Sequence, residues 1–85
     1  MIQPKDVCEG QKVRATINNQ TVDAVIALAS SNGCSVTLEF PKRTQIKFSH
    51  GIRVQGVMLL FWDDKESKYV DMVASETVAL ESAES

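Results

Sequence analysis

The chain lacks the long apolar run that a membrane-spanning helix needs. Such a helix takes about 20 consecutive apolar residues, and no run in these 85 residues approaches that length. The N-terminal residues also lack the apolar core of a secretory signal. Hydrophobic residues make up 44% of the chain and charged residues 24%, which is typical of a globular protein rather than a disordered one. We therefore predict a cytoplasmic protein with no membrane contact.

Residues that carry catalysis or bind metals are also scarce. The only histidine, His50, has no acidic residue within ten positions, and the only cysteines, Cys8 and Cys34, lie far apart. The sequence contains no Cys-x-x-Cys pair and no phosphate-binding loop among its four glycines. The adjacent acids Asp63 and Asp64 fall in a charged hairpin, where both carboxylates are expected to be solvated, which does not favour a catalytic role. We predict free thiols, no enzymatic activity, no metal and no cofactor.

Charge is present but unevenly placed. The net charge is −2, which argues against general coating of nucleic acid. Between Phe40 and Trp62 lie four cations and no acid, whereas seven of the eleven acids follow Trp62. This asymmetry hints at a surface that faces anions.

Apolar and polar residues alternate along most of the chain, which predicts β-strands with one buried face. The first strand alternates through 12–17 and ends at Asn18-Asn19, a pair that tolerates the positive φ of a hairpin turn. A second strand follows and runs to Ser30-Ser31-Asn32-Gly33, where Asn-Gly is a strong hairpin signal. The side chains predicted to face inward on this second strand are Val22, Ala24, Ile26 and Leu28.

The second half of the chain continues the pattern. A third strand covers 34–40, and Pro41 is predicted to end it by removing a ladder donor. Alternation is weaker over 42–51, which indicates a short edge strand or an ordered loop. The longest strand, 52–62, is followed by a polar hairpin and a strand over 69–73.

The C-terminal residues are small and acidic. We predict a frayed acidic tail over 76–85, with at most one short helical turn capped by Ser75. The whole chain, 1–85, is predicted to be a single β-barrel domain. It is all-β, with five or six short antiparallel strands that close to hide their edges.

The run Val-Met-Leu-Leu-Phe-Trp at 57–62 is apolar on both faces of its strand. A barrel wall has an inside and an outside, so three of these six side chains face away from the core unless something covers them. A homo-oligomer or a protein partner would cover them. An 85-residue chain buries only about 60 to 70% of its unfolded surface, so its core is small and association would add to its stability. A sharp bend, or a terminal segment folding over the strand, is the alternative.

The phase of this strand decides which side chains are left for a partner. Ile52 and Val54 are taken as inward, which places Met58, Leu60 and Trp62 inward unless Gly56 marks a bulge that exchanges the faces. Trp62 is kept as an interface candidate because it flanks the charged hairpin, although it could instead pair with Tyr69 across strands. The predicted partner interface is Val57, Leu59, Phe61 and Trp62.

The segment 42–53 supports a second hypothesis. It combines four cations with Phe48. This composition is typical of a groove in which cations contact the phosphates of a nucleic acid and an aromatic side chain stacks on a base. Its ligand would be single-stranded nucleic acid or a cyclic dinucleotide, although surface cations are more often a solvated face. The candidate anion-binding residues are Lys42, Arg43, Lys47 and Arg53, of which Lys47 and Arg53 are predicted to point outward.

The stretch Ser30-Ser31-Asn32-Gly33-Cys34, followed by Val36-Thr37-Leu38-Glu39-Phe40-Pro41, resembles a PilZ domain. PilZ domains are six-stranded barrels that in bacteria often sense cyclic di-GMP. The resemblance extends over 12–74 and implies the same barrel. A Tudor-like or Sm-like barrel fits the same strand pattern nearly as well.

The PilZ ligand motifs are incomplete in this chain. The second family signature begins with an acid or amide, then matches Ser and Gly; Ser30 and Gly33 fit, but the first position is Leu28. The arginine pair that holds phosphates in the family has no counterpart before Arg14. The resemblance therefore implies a degenerate PilZ-type turn at Ser30, Asn32 and Gly33, and a role in protein interaction, as in family members that no longer bind the nucleotide.

Overall fold

A computed structural model describes residues 1–83. They form a closed antiparallel barrel in which each strand pairs with its neighbour in sequence and the last pairs with the first. The predicted small all-β barrel is confirmed, with six strands. The strands are β1 (Lys12–Ile17), β2 (Gln20–Ala29), β3 (Ser35–Phe48), β4 (Gly51–Asp63), β5 (Lys68–Asp71) and β6 (Thr77–Ser82).

Local backbone preferences close the first two hairpins. Asn18 and Asn19 have φ values of 50° and 67°, so the predicted asparagine turn joins β1 to β2. Gly33, between β2 and β3, has φ 74°, and a Cβ there would lie 2.0 Å from the carbonyl oxygen of Pro4. Only glycine satisfies both the dihedral angle and this close approach of the N-terminal segment.

The barrel interior is filled by alternate side chains of every strand. At one end Tyr69 is 1% exposed and donates a 2.7 Å hydrogen bond from its hydroxyl to the carbonyl oxygen of Gly33. Burial, with smaller contributions from Cys34 and Asp6, raises the pKa of Tyr69 to about 12. The most buried side chains include Val13, Ala15, Ile17, Ile26, Leu38, Ile46, Met58, Leu60, Val78 and Leu80.

The predicted frayed tail is wrong for most of its length. Residues 77–82 form β6, which pairs with β1 on one side and β5 on the other. Val78 and Leu80 are 1% and 0% exposed, so two alternating apolar residues suffice when both neighbouring strands are present. The remaining tail residues, Glu84 and Ser85, lie outside the described part of the chain.

The helical turn predicted after Ser75 is not formed. Ser75 has φ 57°, and the residues before it make a turn that leads into β6. Within residues 1–83 the helical structure is one 3-10 turn, Pro4–Asp6. Accordingly, none of these residues belongs to a helix of the length and apolar character needed to cross a membrane.

Pro41 does not end β3, contrary to the prediction. The register of β3 against β4 shifts between Glu39 and Thr44, so residues 40–43 bulge opposite Gly56. A proline is tolerated in such a bulge because no ladder donor is required there. The segment 42–51 is therefore mainly the second half of a long strand.

A second irregularity lies in β2. Ile26 is opposite Leu38 and Leu28 is opposite Thr37, so Ala27 is an extra residue in the ladder. This bulge reverses the alternation, and Leu28 points outward with 61% of its surface exposed. The prediction that Leu28 faces inward is wrong for this reason.

Candidate interaction surface on the outer face of the barrel

Alternation along β4 is sharp between residues 57 and 61. Met58 and Leu60 are each 1% exposed and lie in the core. Between and beside them, Val57, Leu59 and Phe61 are 51%, 45% and 41% exposed. The structure thus places three of the four predicted interface residues together on the outer face of the strand.

The earlier part of β4 follows the opposite phase from the one expected. Ile52 and Val54 are 55% and 50% exposed, and they pair with the outward residues Lys47 and Gln45 of β3. The strand changes face at Gly56, opposite the bulge of β3. The expected orientation of 57–61 is therefore correct although its premise, an inward Ile52 and Val54, is wrong.

Two residues, one on either side of β4, extend its exposed apolar residues. Leu28 of β2 and Leu59 of β4 both pair with Thr37, which lies between them on β3. On the other side, Met72 donates a 2.9 Å backbone hydrogen bond to the carbonyl of Leu59 and is 57% exposed. We define the apolar face as the five exposed side chains Leu28, Val57, Leu59, Phe61 and Met72.

Sequence reasoning missed Leu28 and Met72. Leu28 depends on a one-residue bulge for which the sequence carries no signal. Met72 could have been found, because alternation from the inward Tyr69 places it outward.

Trp62, the fourth predicted interface residue, lies elsewhere. It is half-buried against the core and contacts Tyr69 edge to face, with ring centroids 4.9 Å apart and an interplanar angle of 71°. Its indole Nε1 donates a 3.0 Å hydrogen bond to Oδ1 of Asp64. Trp62 therefore closes one end of the barrel through a cross-strand pair, and the outer face does not include it.

The predicted anion-binding cations are not brought to one surface. Lys47 is outward, opposite Ile52, as predicted. Arg53 is opposite the buried Ile46, and its guanidinium lies 5.8 Å from the ring centroid of Phe48. The prediction that Arg53 points outward beside Lys47 is wrong because the phase of β4 differs.

The remaining two cations lie on the bulge of β3. Lys42 and Arg43 are exposed there, and Nη2 of Arg43 is 3.5 Å from the carbonyl oxygen of Val54, at the limit of a hydrogen bond. The four positive charges thus lie in three places. Lys42 and Arg43 are on the bulge of β3, Lys47 is on the outer face of that strand, and Arg53 is on the opposite face of the β3–β4 hairpin, near Phe48. Anion binding by 42–53 stays a prediction.

The PilZ-type turn uses its polar atoms within the hairpin. The hydroxyl of Ser30 donates to Oδ1 of Asn32 at 2.8 Å and accepts from the backbone N–H of Ser35 at 3.0 Å. Oδ1 of Asn32 also accepts from the N–H of Cys34 at 3.0 Å. These bonds give Ser30, Asn32 and Gly33 a structural role in holding β2 to β3.

One carboxylate ties the tip of the β3–β4 hairpin to the rest of the barrel. Oε1 of Glu76, just before β6, accepts hydrogen bonds from the backbone N–H of Ser49, at 2.8 Å, and from its hydroxyl. These bonds, with a smaller contribution from His50, lower the pKa of Glu76. The contact anchors the hairpin and involves no residue of the apolar face.

Among residues 1–83 no group of three or more His, Cys, Asp and Glu side chains is placed to hold a metal ion. No family model, curated protein or solved structure matches this chain.

Proposed function

We propose that this chain is a non-catalytic protein-interaction module that binds through the apolar face, and that it self-associates. The observation that supports this proposal is the exposure of five large apolar side chains, between 41% and 61%, on β2, on β4 and in the turn after β5. The hydrophobic core is formed by other side chains and includes none of these five. Contiguous exposed apolar patches on small proteins commonly mark interaction sites.

The size of the face indicates a reversible contact. Full burial of one Leu, Phe, Met or Val side chain contributes about 1.5 to 3 kcal/mol. With roughly half of each side chain still exposed, covering all five would contribute about 4 to 7 kcal/mol per copy. The entropy lost on association offsets part of this free energy, so we expect a dissociation constant in the micromolar range or higher.

A degenerate PilZ domain would fit this role. The arginine pair of the family is absent, and the polar atoms of Ser30 and Asn32 are engaged in the turn. A barrel that has lost its nucleotide motif retains its walls as binding surfaces.

Sedimentation velocity tests the proposal. We expect the wild-type chain to associate between about 10 µM and 1 mM, a range that detects contacts as weak as about −4 kcal/mol. Leu59→Lys should shift the chain to monomer because it places a charge in the centre of the apolar face. Thr21→Lys is the matched control, since it adds the same charge at an exposed position of β2 outside the face.

Two results would contradict the proposal. One is a wild-type chain that stays monomeric throughout this range and binds no apolar dye. The other is a Leu59→Lys chain that associates as strongly as the wild type.

A further inference from the structure

Strand β4 has one open edge. Its first half pairs with β3 on one side. On the other side, pairing with β5 begins at Leu60, preceded by the backbone bond from Met72 to Leu59. Along residues 51–58, no other strand from the described part of the chain lies on that side.

The main-chain groups of Val54 point into this open edge. The side chain of Gln20 donates to the carbonyl of Gln45 at 2.9 Å and accepts from the N–H of Lys47 at 2.8 Å. Those two residues of β3 therefore direct their backbone groups away from β4. In an antiparallel ladder the residues opposite them do the same, so Ile52 and Val54 direct their N–H and C=O groups away from β3.

Val57 also points into the open edge. The carbonyl of Leu59 accepts from Met72 of the β5 side, which shows that Leu59 directs its backbone groups away from β3. Val57 is two residues earlier on the same regular stretch and so has the same orientation. The change of face at Gly56 thus makes Val54 and Val57 equivalent in both respects: each side chain is outward, and each main chain faces the edge.

Side chains, rather than another strand, donate hydrogen bonds to the carbonyls of Val54 and Val57. Nε2 of Gln55 donates to the carbonyl of Val57 at 3.1 Å, but Oε1 of the same side chain is buried with no hydrogen-bond partner. Nη2 of Arg43 reaches the carbonyl of Val54 at 3.5 Å. Both caps are side chains that can move away, and one of them leaves a buried acceptor unpaired.

We infer that a second copy of this chain pairs with the open edge of β4 in antiparallel orientation, with Val54 of each copy opposite Val57 of the other. A two-fold axis between Gln55 and Gly56 gives this register. It matches outward side chains with outward side chains and edge-facing N–H groups with edge-facing C=O groups. This inference rests on the proposed function and adds main-chain pairing at the edge of β4 to the contact between the apolar faces.

The surroundings of the edge fit a second copy. On β3, Gln45 is paired with Val54 and Glu39 is paired with Val57. When Val54 of one copy lies opposite Val57 of the other, Gln45 and the Glu39 of the other copy lie in line with them across the combined sheet. Only one of these two side chains is charged, so this register brings no like charges together. The pattern of faces is symmetric about the axis because the strand changes face at Gly56. That symmetry is what an isologous contact requires, whereas an unrelated strand would not need it.

Amide hydrogen exchange measured by NMR tests the register directly in the wild-type chain. The N–H groups of Val54 and Val57 should exchange at least about tenfold more slowly at a concentration where most of the protein is associated than at high dilution. The N–H of Ile52 should gain less, because the carbonyl of Leu59 opposite it is already bonded to Met72.

A pair of substitutions gives an independent test. Val54→Pro removes the N–H without breaking a bond to β3, because that N–H points away from β3, and edge strands tolerate proline in this orientation. We expect association to weaken at least about tenfold. Val54→Thr is the matched control, since it keeps both the N–H and the branched side chain, and its effect should be smaller. Thermal unfolding checks that both variants fold.

The results separate this inference from the proposed function. If the chain associates, but the Val54 and Val57 amides gain no protection and Val54→Pro associates like the wild type, edge pairing is wrong and packing through the apolar face stands. If the wild type does not associate at all, both fail. If Val54→Pro does not fold, amide exchange in the wild type decides.

Discussion

The barrel has two contrasting walls over a common interior. On β1 and the first half of β2, the outward residues are polar and paired: Arg14 Nε lies 3.9 Å from Asp23 Oδ1, and the hydroxyls of Thr16 and Thr21 are 3.2 Å apart. On β4 the outward residues are apolar and half exposed. Both walls supply almost completely buried side chains to the interior. The interior therefore dictates only the inward residues. The apolar outer face is a separate feature of the sequence, and the proposed self-association depends on it.

The largest expected effect compares two adjacent leucines of β4. Leu60→Ala should lower the free energy of unfolding by about 2 to 5 kcal/mol, because it leaves a cavity in the core. Leu59→Ala should cost about 1 kcal/mol or less, because its side chain is already 45% exposed. Urea denaturation of dilute protein measures both. Equal losses would mean that the apolar face belongs to the fold, and the contrast between the walls would disappear.

The next effect concerns Tyr69, whose hydroxyl joins β5, beside the apolar face, to the turn at Gly33. Tyr69→Phe should cost about 1 to 3 kcal/mol, because it leaves the buried carbonyl of Gly33 without its donor. Denaturation at neutral pH measures this loss. A negligible loss would indicate that the barrel end is held by Trp62 and the apolar contacts alone.

The same tyrosine predicts a pH dependence. Its pKa is about 12 in the folded chain, and the ordinary value is 10.0. Above pH 10 the unfolded chain loses the tyrosine proton while the folded chain keeps it, so stability should fall as pH rises from about 10 to about 12. Melting temperatures across this range should decline more steeply for the wild type than for Tyr69→Phe. Parallel declines would exclude Tyr69 as the cause.

The smallest effect is expected on the polar wall. Arg14→Gln should change the free energy of unfolding by no more than about 0.5 kcal/mol, because the Arg14–Asp23 pair is long and both side chains are more than half exposed. It should also leave the association constant unchanged. A loss of association comparable to that of Leu59→Lys would mean that the chain associates through the polar wall.

Much of the fold could be predicted from alternation and turn residues. The strict pattern in β1 gave its inward side chains, and Asn18-Asn19 gave the first hairpin. The C-terminal strand was missed because Val78 and Leu80 are buried only once β1 and β5 lie beside them. The residues of β6 alone do not indicate which strands will lie beside it.

The candidate site was harder to predict because it depends on two irregularities. The bulge at Ala27 turns Leu28 outward, and the change of face at Gly56 exposes Ile52 and Val54 and turns Arg53 inward. A one-residue shift exchanges the two faces of a strand, so period-two reasoning fails beyond each bulge. The orientation of 57–61 was predicted correctly only because two errors cancelled: Ile52 and Val54 face outward rather than inward, and the change of face at Gly56 restores the expected phase.

The measurement that tests the central claim most directly is a dilution series of methyl NMR spectra from about 1 mM to about 10 µM. It compares the two walls in one sample, without any substitution. The account predicts that the methyl signals of Leu28, Val57, Leu59 and Met72 move with concentration while those of Thr16 and Thr21 stay fixed. Signals that do not move on either wall, or that move only on the polar wall, would contradict it.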